Sequence, residues 1–102
     1  MKMNPRPKNK RVKSKKITQS ARDEDCTLRL VGVCNYNPQT TVFAHVGGGG
    51  MGIKRHDISG CYACSNCHTY IDSMSTEKNS LDILRAMIET QSILLKKGLI
   101  NI

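Results

Sequence analysis

Five cysteines in a chain of 102 residues are the first feature of this sequence with evident chemistry. Cys64 and Cys67 form a C-x-x-C pair, and Cys26 and Cys34 form a wider pair upstream. Zn²⁺ prefers four tetrahedral thiolate or imidazole ligands, and a C-x-x-C knuckle brings two sulfurs to one ion. The two pairs therefore predict a structural zinc site made of all four, with Gly32 and the following asparagines folding the wider pair back.

A redox-active C-x-x-C and a set of buried thiols are the alternative interpretations of these cysteines. A thioredoxin-like redox motif normally lies in a βαβ context, which this sequence lacks. Cys61, three residues before Cys64, could compete as a ligand, but we expect it to be a small buried apolar residue. Zinc is the interpretation that the paired spacing favours.

A histidine and an aspartate follow the C-x-x-C pair at helical spacing. His68 comes directly after Cys67, and Asp72 comes four residues after His68. Residues four apart share one helix face, so these two side chains can bind one metal ion together. That face is rotated by about a quarter turn from the cysteine side of the helix. Alone, such a pair is more often a surface hydrogen bond, but a neighbouring zinc knuckle strengthens the metal interpretation.

The order of these residues resembles a known superfamily. Ala44-His45, a glycine-rich loop, Asp57 and Cys64-Ser-Asn-Cys67-His68 together resemble the HNH (ββα-metal) endonucleases. The chain is still more similar to the prophage-encoded putative nucleases of the YbcO type. That similarity rests on Cys26-Thr-Leu-Arg-Leu-Val-Gly-Val-Cys34-Asn, on Ala44-His45, and on Ala63-Cys64-Ser-Asn-Cys67-His68 through Ile71-Asp72. It covers about residues 20–102.

The resemblance implies a role for each of these residues. His45 would be the general base, since a neutral imidazole accepts a proton near pH 7. His68 and Asp72 would ligate a catalytic Mg²⁺ or Mn²⁺, and Asp57 would orient His45. DNA is the substrate that the resemblance implies.

Two positions depart from the pattern of the superfamily. Many HNH enzymes have an acid or a histidine just before the base, where this chain has Ala44. Asp57 or His56 could fill that gap. The middle residue, Asp57, is aspartate where asparagine is commoner.

The net charge of +8 resides in the N-terminal segment. Residues 1–20 carry eight lysines and arginines and no acid, and the remaining charges cancel. We expect residues 1–16 to be a disordered basic tail that contacts phosphates, although a solvated arm is the alternative. The predicted nucleic-acid contacts are Lys8, Lys10, Arg11, Lys13, Lys15, Lys16, Lys54 and Arg55.

The composition restricts the class of protein. There is no Trp and one Phe, so a small core needs a metal or a partner for support. No apolar stretch is long enough to span a membrane, and no apolar segment follows the basic N-terminus as in a secretory signal. We therefore expect a cytoplasmic protein, whose cysteines stay reduced.

Hydrophobic patterns and turn residues predict the following elements: a helix at 17–25, strands at 26–31, 40–46 and 59–62, a helix at 64–73, a connection at 76–79 and a helix at 81–97. The last helix is the clearest, with Ser80 as its cap and Gly98 as its end. We expect it to pack on the core through an apolar face comprising Leu81, Leu84, Met87 or Ile88, Leu94 and Leu95.

These expectations combine into one architecture and one leading function. The fold is an α+β domain over residues 17–102, in which a ββα-metal core holds zinc and a C-terminal helix packs alongside. The function is metal-dependent endonucleolytic hydrolysis of phosphodiester bonds. The rival is a non-catalytic, zinc-stabilised nucleic-acid-binding accessory protein of phage recombination, and a third interpretation is a zinc-bridged protein adaptor. A homodimer or a larger recombination or replication partner is compatible with each.

Overall fold

The computed structural model describes residues 14–46, 58–73 and 76–101. The elements are, in chain order, α1 (Lys15–Gln19), a 3₁₀ turn (Pro38–Thr40), β1 (Val42–His45), β2 (Gly60–Ala63), α2 (Ser65–Ser73), a second 3₁₀ turn (Thr76–Asn79) and α3 (Ser80–Lys96). β1 and β2 pair antiparallel, with Val42 opposite Ala63 and His45 opposite Gly60. The predicted α+β class is confirmed, whereas the HNH-type core stays a prediction.

The β1–β2 hairpin has two faces, because successive strand residues point to opposite sides. On one side, which we call the cysteine face, the hairpin packs against the loop of residues 26–34, α2 and the first half of α3. Its buried residues include Leu28, Leu30, Ala44, Val46, Cys61, Ala63, Ile71, Ile83 and Ala86. On the other side, the aromatic face, Phe43 and Tyr62 pack with Ile17, Ala21 and Leu94.

Helix α1 is shorter and earlier than the predicted helix at 17–25. The Ser14 hydroxyl accepts a hydrogen bond from the backbone N–H of Ile17 at 3.3 Å, so the helix begins at Lys15. It ends at Gln19, and Asp23 has a left-handed backbone with φ of 61°. The prediction was wrong here because Ser14 is a better N-cap than the residue before Ile17.

The predicted strand at 26–31 is wrong. Arg29 has φ of 43°, which an extended strand does not allow. The segment makes one backbone contact with the sheet, in which the N–H of Thr27 donates to the carbonyl of Tyr62 at 2.8 Å. The N–H of Arg29 donates instead to Cys26 Sγ at 3.4 Å. The chain turns around a sulfur rather than continuing along the sheet.

The bounds predicted for the last helix are nearly those of α3. Gly98 ends it with φ of 72°, and its N–H donates to the carbonyl of Leu95 while the N–H of Leu99 donates to that of Leu94. This is a Schellman motif, which confirms the predicted role of Gly98. Ser80 is the first helical residue rather than the cap. Asn79 holds the cap position and its side chain makes no capping hydrogen bond.

The core face of α3 differs from the predicted one. Its buried residues are Ile83, Ala86, Thr90 and Leu94, with Met87 partly buried beside them. The predicted face was correct for Leu94 and wrong for the exposed residues Leu81, Leu84 and Leu95; Ile88, the alternative to Met87, is exposed as well. The helix is apolar on two sides, so spacing alone does not identify the side that meets the core.

The remaining elements lie within one or two residues of their predicted positions. β1 confirms the strand expected at 40–46, β2 is shifted by one residue from 59–62, and α2 begins one residue after the predicted 64.

Gly60 is required in β2, because a Cβ there would lie 2.4 Å from Phe43 Cε1 and 2.6 Å from the carbonyl oxygen of Ala44. Across the described residues, no helix is both long and apolar enough to cross a membrane.

Candidate functional site

The four predicted zinc ligands come together in space. The Sγ atoms of Cys26, Cys34, Cys64 and Cys67 all lie within 4.8 Å of one another. The sulfurs of Cys34 and Cys64 are 3.8 Å apart. Tetrahedral coordination with Zn–S bonds of about 2.3 Å would separate the sulfurs by about 3.8 Å. The donor set and its dimensions therefore fit a zinc ion.

Two structural segments position these sulfurs. In the first, the N–H of Cys34 donates to the carbonyl of Leu30 at 2.9 Å, and Gly32 has φ of 76°. This turn folds the wide cysteine pair back, as predicted. In the second, Cys64 follows β2 and Cys67 lies in the first turn of α2. The cluster therefore links the loop of residues 26–34 to the junction between the hairpin and α2.

Backbone amides surround the sulfurs. The N–H of Cys67 donates to Cys64 Sγ at 3.4 Å, as the N–H of Arg29 does to Cys26. Burial raises the pKa of the Cys64 thiol, but the backbone N–H groups of Asn35 and Cys67 outweigh it and lower that pKa to about 7. Burial raises the pKa of Cys67. Metal binding requires the thiolates, so zinc would displace the remaining protons.

Cys61 lies outside the four-sulfur cluster. Its side chain is fully buried on the cysteine face, opposite Ala44 in the hairpin. Burial raises its pKa to about 12, so it stays a neutral thiol. The prediction that it is a small buried residue is confirmed.

Helix α3 supports the loop of residues 26–34, which we call the cysteine loop, through hydrogen bonds and ion pairs to distant residues. The Arg85 guanidinium donates to the carbonyls of Thr27 at 2.9 Å and Leu28 at 2.7 Å. Arg85 and Arg29 both contact the carboxylate of Glu89, at 2.6 and 2.8 Å. Arg85 and Glu89 form a local i, i+4 pair within α3. Arg29 lies 60 residues from Glu89, and Thr27 lies 58 residues from Arg85, so only the tertiary structure identifies those contacts.

The predicted pair on α2 is also close in space. His68 Nε2 lies 3.3 Å from Asp72 Oδ2, and the two side chains are 39% and 69% exposed. Cys67, the residue before His68, is fully buried. Thus the inner side of α2 carries the buried sulfur of Cys67. The outer side presents His68 and Asp72, a nitrogen and an oxygen that can ligate a metal, on one helix face, as their spacing predicted.

His45 is the last residue of β1 and is half-buried. Its ring meets the ring of Phe43 edge to face, with centroids 5.3 Å apart. The alternation of the strand places it on the aromatic face, on the opposite side of the hairpin from Ala44 and the cysteines. Among the described residues, the group of three or more potential metal ligands that lie close together consists of the four cysteines. His45 is not part of that group.

The other predicted site residues divide into two groups. Lys15 and Lys16 are exposed on α1. The rest lie outside the described residues, and they are Lys8, Lys10, Arg11, Lys13, Lys54, Arg55, His56 and Asp57.

The fold and the cluster define a small α+β domain in which four cysteines that could hold a metal ion lie beside a hairpin and a helix. Comparison with known proteins gives the family. Residues 15–99 match the family model described as "Putative nuclease YbcO". The chain therefore belongs to the YbcO family of putative nucleases.

Individual relatives agree with that assignment. Two proteins named putative nuclease YbcO, from Escherichia coli strain K12 and from Enterobacteria phage 82, are each 38% identical over 95 residues, covering 83% of this chain and 96% of theirs. A solved structure of a putative bacteriophage protein from E. coli K-12 MG1655 matches with a TM-score of 0.65 at 36% identity, covering 79% of this chain and 98% of that one.

Proposed function

We propose that this protein is a metal-dependent endonuclease of the HNH type that hydrolyses phosphodiester bonds in DNA. Its relatives are named putative nucleases. The observation that carries the proposal is the solvent-facing pair of His68 and Asp72, one residue beyond the cysteine cluster. A structural role for the cysteine cluster does not account for this pair, whereas a second, exchangeable metal ion gives both side chains a shared purpose.

In this proposal Cys26, Cys34, Cys64 and Cys67 hold a structural zinc ion. The cluster is mostly buried, and the 3.8 Å between the sulfurs of Cys34 and Cys64 matches tetrahedral zinc. Its role is to fix α2 against the hairpin, so that His68 and Asp72 keep their orientation. Reduced cysteines are needed for that role, which agrees with a cytoplasmic location.

His68 and Asp72 hold the catalytic ion, Mg²⁺ or Mn²⁺. One imidazole nitrogen and one carboxylate oxygen suit Mn²⁺, and the carboxylate also suits Mg²⁺. When bound, such an ion supplies charge stabilisation to the phosphate and to the leaving oxygen. Both side chains are open to solvent, so a phosphate group and water can reach them.

His45 is the general base that accepts a proton from the attacking water. The ring of Phe43, packed edge to face, restricts the orientation of the imidazole. We assign Asp57 to the second ring nitrogen of His45, where a carboxylate would fix the tautomer.

The basic segment supplies affinity for the nucleic acid. Helix α1 packs through Ile17 on the aromatic face, which is also the face of His45. Lys15 and Lys16 on this helix therefore lie on the side of the hairpin where the base resides. Together with Lys8, Lys10, Arg11, Lys13, Lys54 and Arg55 they contact phosphates, which gives salt-dependent affinity without sequence preference.

The test is cleavage of plasmid and branched DNA by the purified zinc-loaded chain, with and without Mg²⁺ or Mn²⁺. His45→Ala and His68→Ala should each abolish metal-dependent cleavage while retaining zinc and fold. The control is Asn66→Ala, at an exposed position of α2. This variant should cleave DNA normally.

Three other outcomes would contradict the nuclease proposal or favour another function. Cleavage that survives in both histidine variants would contradict it. Tight salt-sensitive DNA binding with no cleavage under any metal would favour the non-catalytic accessory protein. Absence of both would favour a protein adaptor.

A further inference from the structure

Helix α3 exposes an apolar stripe along the side that faces away from the core. The side chains are large and widely exposed: Leu81 at 81%, Leu84 at 54%, Ile88 at 60% and Leu95 at 39%. Their spacings of three, four and seven residues are those of a heptad seam. The opposite face of the helix fills the core with Ile83, Ala86 and Leu94, and the described part of the chain leaves this second stripe largely uncovered.

The stripe is nearly symmetric about its centre. Leu81 lies seven residues before Ile88 and Leu95 lies seven residues after it. If α3 packed antiparallel on a copy of itself, Ile88 would meet Ile88, and each Leu81 would meet the Leu95 of the other copy. A two-fold interface requires such a self-complementary surface.

The charges beside the stripe are complementary in the same arrangement. Asp82 and Lys96 are both exposed on one flank, near opposite ends of α3. Antiparallel pairing sets the Asp82 end of one copy beside the Lys96 end of the other, so that opposite charges attract. The helix dipoles also oppose each other favourably in the antiparallel arrangement. Gln91, at the next seam position after Ile88, supplies a polar residue of the kind that fixes register.

We propose that a second copy of this chain covers the stripe, with α3 packed antiparallel on α3 of the other copy about Ile88. The interface is small, so the dimer dissociates at micromolar concentrations rather than being permanent. It leaves α2 and its solvent-facing pair unchanged and does not depend on the nuclease proposal.

The first test is sedimentation equilibrium of the full zinc-loaded chain over the micromolar range. Ile88→Lys should raise the dimer dissociation constant at least tenfold, about 1.4 kcal/mol. Val31→Lys is the matched control, because Val31 is an almost fully exposed apolar residue that is not part of α3. Circular dichroism and zinc content should be unchanged in both variants. A chain that stays monomeric throughout, or a dimer that tolerates Ile88→Lys, would overturn the proposal.

A charge-reversal series tests the arrangement. Asp82→Lys and Lys96→Glu should each weaken the dimer, and the double variant should restore most of the lost affinity. Asp82 also lies 3.8 Å from Arg85 of its own helix, so the recovery in the double variant is the informative result. Without that recovery, antiparallel pairing of two copies is wrong, even if an apolar partner of another kind covers the stripe.

Discussion

The two sides of α2 present two different sets of side chains in one short helix. On the inner side, Cys67 is fully buried and belongs to a cluster surrounded by backbone amides and packed apolar residues. On the outer side, His68 and Asp72 are exposed and are held mainly by each other. A closed site of four thiolates suits a permanent structural ion, and an open pair suits an exchangeable one.

If both proposed roles hold, the difference lets a domain of this size combine stability with activity. The core has few aromatic residues, so we expect a metal ion on the cysteine cluster to contribute much of the folding free energy. Because the inner side fixes the helix, the outer side can carry polar groups that contribute little to folding. Substitutions on the inner side should therefore lower stability. Substitutions on the outer side should lower cleavage and leave stability nearly unchanged.

The largest effect is expected on the inner side. Cys64→Ser removes one thiolate, and structural zinc contributes about 10–16 kcal/mol in small zinc-binding peptides. We expect this variant to lose its zinc and to be largely unfolded at 25 °C, as measured by circular dichroism and metal analysis. Cys61→Ala, at the buried cysteine outside the cluster, should keep its zinc. A stable, zinc-free Cys64→Ser protein would show that the cluster is not structural.

The outer side should behave in the reverse way. Asp72→Asn removes a solvent-facing carboxylate, and surface substitutions usually change stability by less than about 0.5 kcal/mol. Metal-dependent cleavage should fall by at least about a hundredfold, because loss of the ion forfeits several kcal/mol of charge stabilisation. Ser73→Ala, at the next exposed position, is the control. Strong destabilisation by Asp72→Asn would remove the distinction between the two sides.

A third substitution tests the packing beside His45, at Gly60 of the paired strand β2. Gly60→Ala should lower the free energy of unfolding by about 1–3 kcal/mol, because the added Cβ overlaps the Phe43 ring and the Ala44 carbonyl. The displaced ring no longer supports His45, so cleavage should fall as well. Denaturant unfolding of the variant beside Ser59→Ala provides the measurement, and equal stabilities would contradict the close packing.

The smallest effect is expected at Glu89, in the brace between α3 and the cysteine loop. The hydrogen bond from Arg29 and then that from Arg85 lower the pKa of Glu89. Its stabilisation is therefore present above the unfolded glutamate pKa of about 4.3 and is lost as the pH falls through the lower folded-state pKa. Glu89→Gln should cost less than about 1 kcal/mol at pH 7, since these pairs are partly exposed. The difference from the parent protein should shrink in acid, and a constant difference would exclude the ionic contribution.

Local signals predicted several parts of the molecule correctly. The C-x-x-C spacing, Gly32 and the i, i+4 spacing of His68 and Asp72 each act over a few residues, so the sequence is sufficient to place them. The same holds for the Schellman end of α3 at Gly98, where a left-handed residue was needed. The β-branched and aromatic residues of β1 likewise predicted a strand that the fold retains.

Two of the errors arose where distant groups compete with local preference. The β-like pattern of residues 26–31 yields to the cluster that brings Cys26 to Cys64 and Cys67, and the loop turns at Arg29. The periodicity of α3 predicted an apolar helix, but not which of its two apolar sides meets β2. That choice depends on Thr90, whose hydroxyl accepts from the N–H of Tyr62 and lies 3.1 Å from the hydroxyl of Thr27.

By itself, therefore, the sequence determined most of the elements, the set of four cysteines and the shared helix face of His68 and Asp72, because spacing along a chain fixes which side chains share a helix face or a knuckle. The tertiary structure decided that His45 and the cysteines lie on opposite faces of the hairpin, and that Arg85 supports the cysteine loop. It also left Leu81, Leu84 and Ile88 outside the core. Those outcomes depend on burial and hydrogen bonding between segments about 20–60 residues apart, and free energies of that kind are absent from any local pattern.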